Sequence, residues 1–308
     1  MTSTAFITHR ECWLHNMGAH HPESPERLAA INDRLIAAGL DMYLSFYDAP
    51  VATAEQLSRA HPREHVDEIL ASAPEHGIRH LDPDTAVCPH TIKAALRSAG
   101  AGVMATDLVM SGEVENAFCA VRPPGHHAEA AKAMGFCFFN NVAVAARHAL
   151  DVHGLKRVAV VDFDVHHGNG TEDIFKDDPR VLMVSIFQHP FYPYSGADKP
   201  AANMCNVPLA AGCGGEEFRD AVNQVWMPRL KEFKPQLIII SAGFDGHYED
   251  DMGGLKLVEK DYAWCTDELK KIAAQYSEKR IVSMLEGGYA LSALGRSVVA
   301  HLRVLADV

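Results

Sequence analysis

Apolar residues in this chain follow two patterns that alternate along it. Val158-Ala159-Val160-Val161, Val181-Leu182-Met183-Val184-Ser185-Ile186, Leu237-Ile238-Ile239-Ile240 and Ile281-Val282-Ser283-Met284-Leu285 are short runs with no regular polar positions. Such runs predict strands buried on both faces, as in a parallel sheet. Residues 117–121 read as another core strand. Between the strands the spacing becomes helical. Leu28, Ile31, Leu35 and Ile36 mark one helix, with Ser24 as its N-cap, Pro25 at its first position and Gly39 as its stop. Further helices are predicted over 91–110, from Asn140 or Asn141 to about 150, and over 171–175, 216–233 and 260–276. The 91–110 helix is rich in Ala and Gly, which predicts close packing against a neighbour. Strands alternating with helices imply right-handed crossovers and a three-layer α/β/α fold around a central, mainly parallel sheet. No linker, low-complexity tail or repeat interrupts the pattern, so residues 1–308 are expected to form one domain.

Composition narrows the function. Hydrophobic residues make up 48% and charged residues 22%, enough for a large core. A net charge of −12 weighs against nucleic acid and suits a cationic substrate. Seven cysteines without a C-x-x-C pair point to a reducing compartment. Without a run of about 18 apolar residues or a signal-peptide pattern at the N-terminus, the chain is expected to be cytoplasmic, with no membrane partner. Nothing in it fixes the oligomeric state.

The chemistry gathers where strands end. After Val161 three ionisable residues occupy alternate positions, Asp162, Asp164 and His166, and a strand would place all three on one face. Buried carboxylates of this kind are costly unless paired, and a divalent metal pairs them. Other strands end in His126-His127, in Asp245 and in Gly287-Gly288-Tyr289. In open α/β sheets ligands bind outside the carboxyl ends of the strands. Asp164, His166 and Asp245 would hold a catalytic metal with one position open. His126 and His127 would serve as general base and acid, with Asp162 fixing a histidine tautomer. Tyr289, swung inward by the glycine pair, would donate to a developing oxyanion. These parts amount to metal-assisted amide hydrolysis. Adjacent His20 and His21 are further metal-ligand candidates, though loop histidines beside proline usually face solvent.

Five segments resemble, in order, the signatures of the histone deacetylase family, which has the arginase–deacetylase fold. They are Arg122-Pro123-Pro124-Gly125-His126-His127-Ala128-Glu129, Gly135-Phe136-Cys137-Phe138-Phe139-Asn140, Asp162 to Thr171, Ala242-Gly243-Phe244-Asp245 and Gly287-Gly288-Tyr289. The resemblance implies zinc on Asp164, His166 and Asp245, a place that ferrous iron could also take in the cell. It implies His127 as general base and acid, His126 as its water-positioning neighbour, and Tyr289 as polariser of the acyl carbonyl. Gly135, Phe136 and Tyr192 would wall a narrow acyl-lysine tunnel, with Gly287 and Gly288 beside it and Arg27 at an internal cavity. Structural potassium is expected near Asp162, Asp164, Ser185 and Ile186, and again near Phe175 and Val181. Asn169, where class I enzymes carry Asp, places the resemblance with class II enzymes and acetylpolyamine amidohydrolases, and it suggests a lower pKa for His127. The substrate implied is an acylated lysine peptide or protein; a small acylated amine such as an acetylated polyamine is the alternative. Related di-manganese ureohydrolase chemistry would need more carboxylates than are present. A non-catalytic acyl-lysine binder would lack a ligand, base or tyrosine. The segment 191–196 departs from the family in carrying Tyr192 where Phe is common.

Overall fold

The eight-stranded sheet that organises the protein is parallel throughout. The structure is a computed structural model and describes residues 3–308. Its strands are β1 (Thr4–Thr8), β2 (Leu44–Asp48), β5 (Asn116–Cys119), β6 (Val158–Asp162), β7 (Val181–Gln188), β8 (Met204–Leu209), β9 (Leu237–Ala242) and β10 (Ile281–Leu285). β3 (Arg79–His80) and β4 (Ala86–Val87) pair separately as a short antiparallel hairpin. The order across the main sheet is β2-β1-β5-β10-β9-β6-β7-β8. The apolar runs read from the sequence are its central strands, and every residue of β5, β6, β9 and β10 is buried.

The principal helices are α1 (Glu26–Ala37), α2 (Ala54–Leu57), α3 (Arg63–Leu70), α4 (Thr91–Ser111), α5 (Asn141–Asp151), α6 (Asn169–Phe175), α7 (Gly215–Ala221), α8 (Met227–Phe233), α9 (Glu259–Tyr276) and α10 (Leu291–Ala306). They cover both faces of the sheet, as neighbouring residues of β10 show. A Cβ on Gly102 of α4 would press against Met284, whereas Ser283 lies 2.9 Å from His301 Nε2 of α10. The small residues of α4 permit the close approach: a Cβ at Gly100 would overlap the carbonyl of Pro50. α1 begins one residue later than the sequence suggests, with Pro25 already helical at φ −55° and ψ −30°. The predicted helix over 216–233 is broken by a π turn at Val222–Trp226. Pro228 follows it and has no N–H for the carbonyl four residues back, so the chain widens there. β1, β2, β8 and α10 carry no reading from the sequence.

One expectation needs correction. β6 ends at Asp162, so Asp164 and His166 do not share a strand face with it. They converge through two successive turns instead. Asp162 Oδ1 accepts the N–H of Asp164 at 3.0 Å, and Asp164 Oδ1 accepts the N–H of His166 at 2.9 Å.

Candidate active site

β5, β10, β9 and β6 are adjacent in that order, and because all are parallel their carboxyl ends lie at one edge. The segments that leave these ends bring together Asp164, His166 and Asp245, each with a ligand atom within 4.8 Å of the others and all buried. His166 Nδ1 bonds Asp164 Oδ1 at 3.1 Å and lies 3.2 Å from Asp245 Oδ2, which is buried without a hydrogen-bond donor. The other oxygens of the two carboxylates take backbone N–H groups: Asp164 Oδ2 from Gly287 at 2.8 Å, and Asp245 Oδ1 from Val165 at 2.9 Å. Glycine is needed around them. A Cβ at Gly243 would overlap the Asp164 carboxylate, and one at Gly287 would overlap Asp245. Burial and the charge of Asp164 raise the pKa of Asp245 to about 7. Two buried carboxylates, an imidazole and an orphaned oxygen fit a divalent cation such as zinc.

Beside this cluster the rings of His126 and His127 sit 4.0 Å apart. His126 Nδ1 donates to Asp162 Oδ2 at 3.0 Å. Burial opposes charging His126, but Asp164 and Asp162 overcome that and raise its pKa to about 10. His127 behaves in the opposite way. Burial first, then the neighbouring imidazoles His126 and His166, hold it well below the usual histidine value. Its Nδ1 donates to Asn169 Oδ1 at 2.8 Å, and Asn169 in turn donates to Glu129 at 2.8 Å. The loop carrying this pair is tied down by Glu286, which accepts the N–H groups of Gly125 and His126 at 2.7 and 3.1 Å.

A cavity of about 300 Å³ opens above the cluster, with His127, His166 and Tyr289 among its lining residues. Gly135 and Phe136 form one wall in left-handed backbone conformations, φ 58° and 68°. Asp84 accepts the Gly135 N–H at 3.2 Å and Thr85 Oγ1 that of Phe136 at 3.0 Å. Tyr192 stands on the other side, edge-on to His127 at 5.3 Å, with its buried hydroxyl toward the Asp84 carboxylate. Asp251 and Met252 complete the mouth. Burial keeps the Tyr289 phenol protonated, well above its usual pKa. Arg27 lies over the Tyr289 ring at 4.9 Å and donates to the carbonyls of Gly288 and Glu286. Glu23 bridges Arg27 and Arg122, all fully buried. Arg27 therefore clamps the glycine–tyrosine loop from behind.

Other candidates lie elsewhere. His21 packs on Phe136 at 4.8 Å, and neither it nor His20 joins the metal-capable cluster. Among the described residues, a second such group, Asp107 with His148 and His153, is a hydrogen-bonded surface cluster. Arg59 donates to His148 Nδ1, so His148 presents a proton at Nε2 to Asp107. Asp162 and Ser185 are register partners on β6 and β7, buried beside Ile186, and Ser185 Oγ donates to the Ile186 carbonyl. Near Phe175 and Val181 the carbonyls face Asn203 instead. Asp84, Asp250, Asp251, Met252 and Glu286 receive no site role from the sequence. Asp84 sits in the segment Leu81-Asp82-Pro83-Asp84-Thr85, which reads as a turn before the 91–110 helix. Asp250, which accepts the N–H groups of Tyr289 and Ala290 at 2.6 and 2.9 Å, lies in an acidic run that reads as solvated surface.

This fold, with a buried metal-capable cluster at the carboxyl edge of its sheet, is that of a class of amidohydrolases. Residues 21–305 match the family model of the histone deacetylase domain. The chain is 36% identical to a histone deacetylase-like amidohydrolase of Pseudomonas aeruginosa, over 93% of this chain and 82% of the relative. It is 35% identical to a probable deacetylase of Archaeoglobus fulgidus, with 94% and 82% covered. A mouse polyamine deacetylase, HDAC10, is 37% identical over 92% of this chain and 44% of its own length. The solved HDA15 HD domain superposes with a TM-score of 0.94 at 34% identity, covering 99% of this chain and 88% of that one. The chain belongs to the histone deacetylase family of amidohydrolases. No helix among the described residues is long and apolar enough to cross a membrane.

Proposed function

We propose that this chain is a zinc-dependent deacetylase that removes acyl groups from lysine side chains, acting as one catalytic domain over residues 1–308 in the cytoplasm. The observation that carries this reading is the buried Asp164–His166–Asp245 cluster, with His127 and Tyr289, beneath a narrow aromatic-walled cavity. Zinc on those three ligands would supply Lewis acidity toward water and the acyl oxygen. The chain's own residues do the rest. Phe136 and Tyr192 sheathe an aliphatic lysine stem and exclude water. His127, neutral with its Nδ1–H committed to Asn169, keeps Nε2 bare to take a proton from the attacking water and return it to the leaving amine. His126, cationic and held by Asp162, orients that water and favours negative charge beside it. Tyr289 donates a hydrogen bond from its hydroxyl to the acyl oxygen as charge develops there, and keeps its proton. Potassium beside Asp162, Asp164, Ser185 and Ile186 would stiffen the strand ends that carry the ligands.

Purified zinc-loaded protein should release acetate from an acetyl-lysine peptide. No turnover with one zinc bound per chain would overturn the proposal. The carboxylates Asp84 and Asp251 at the mouth favour a second reading, a free cationic amine such as an acetylated polyamine as the carrier. Side-by-side kcat/KM for acetylspermidine and the peptide decides between them.

A further inference from the structure

The chain between α6 and β7 makes two consecutive turns: the N–H of Asp178 bonds Phe175 O at 2.9 Å and that of Val181 bonds Asp178 O at 3.1 Å. This three-residue repeat aims the carbonyls of Phe175, Asp178 and Val181 at one point. Convergent backbone carbonyls of this kind are what a monovalent cation would require. That point is taken by the side-chain amide nitrogen of Asn203, at 2.8, 3.1 and 3.0 Å from the three oxygens. The backbone of Asn203 is itself pinned, since its carbonyl accepts the N–H of Met183 at 2.9 Å. The carbonyls of Phe175 and Asp178 each spend one lone pair on a turn N–H and the other on Asn203. The Asn203 nitrogen, which carries two protons and no lone pair for a cation, is the atom that faces the three oxygens.

We infer that Asn203 fills this carbonyl cage from within the chain, and that the cation expected near Phe175 and Val181 is replaced by a covalently tethered donor. The junction of α6, β7 and β8 is then held together without potassium. This inference is independent of the reaction the enzyme performs.

The test is a potassium count and a melting curve, with no turnover involved. Wild-type protein desalted into choline chloride and then dialysed against KCl should carry no more than one potassium per chain by elemental analysis. Asn203→Asp, of nearly the same shape, removes both donors and turns a carboxylate toward the carbonyls. Its melting temperature in choline chloride should fall by roughly 5 °C, and KCl should restore it in a saturable way. Asn203→Ala, which simply opens the cage, should gain one bound potassium relative to wild type. Two potassium ions on the wild-type chain would overturn the inference, because Asn203 would then be a ligand and not a substitute. So would a loss of stability in both variants that potassium leaves unchanged.

Discussion

Asn169 is the position at which this site differs in charge from one with a carboxylate behind its base, and Asn169→Asp tests what the amide does. Asn169 Oδ1 lies 2.8 Å from His127 Nδ1. A carboxylate there would put its charge about 4 Å from the imidazolium, an attraction of roughly 4 kcal/mol at an effective dielectric near 20. At about 1.4 kcal/mol per pH unit that is at most about 3 units of pKa. Part of it is lost, because the new carboxylate would face Glu129, which now accepts the Asn169 amide proton at 2.8 Å. A net rise of about 1 to 2 units is expected. The direction follows from the wild type, in which burial and like charges hold His127 well below the usual value and so neutral. Raising its pKa leaves less of the free base at a given pH, so the acidic limb of kcat/KM moves to higher pH. Turnover of an acetyl-lysine peptide should fall on the acidic side of neutrality, where the limb is displaced by about 1 to 2 pH units, and converge on the wild-type value above it. The assay is kcat/KM from pH 5 to 9.5 on both proteins, with metal content measured at each end. An acidic limb that stays in place, or moves down, at unchanged metal content would refute the argument.

Tyr289→Phe keeps the ring over Arg27 and removes only the donor, so kcat should drop about 10²- to 10³-fold while zinc content holds; near-normal kcat would clear the tyrosine of its role. Metal uptake should release a proton, because Asp164 and Asp245 overcome burial and raise the pKa of His166 to about 10. An indicator dye in weak buffer at pH 7.5 should register about one proton per zinc, and no release would contradict the ligand set. Burial alone would raise the pKa of Glu23, but Arg122, His15 and Arg27 bring it down from 4.5 to about 2. Its stabilisation is therefore present above pH 4.5 and lost as pH falls toward 2. Glu23→Gln should flatten that limb of an acid melt and lower stability at neutral pH by roughly 3 to 5 kcal/mol, since two buried guanidiniums lose their partner.

The sequence by itself determined the central strands, the parallel class of sheet and most of the residues that gather in the candidate site. Each of these is a local property. An unbroken apolar run such as Leu237 to Ile240 has one stable place, between two helical layers, and a His pair or Asp-x-His at the end of such a run is legible without neighbours. The edge strands β2 and β8 escaped notice because they are mixed in polarity, with partly exposed residues that carry no clean period. The alternation Asp162, Asp164, His166 pointed to convergence, but nested side-chain turns produce it where a pleat was expected. Only the tertiary structure decided which strands are neighbours, and so that β5, β10, β9 and β6 deliver their ends side by side. It also decided the supports: Arg27 on the carbonyl of Gly288, 261 positions away, and Asn203 within a ring of distant carbonyls. Glycine at 243 and 287 is required by carboxylates that come from other strands. Such partners meet through chain packing alone, and a hydrogen bond between residues hundreds of positions apart leaves no periodicity for the sequence to display.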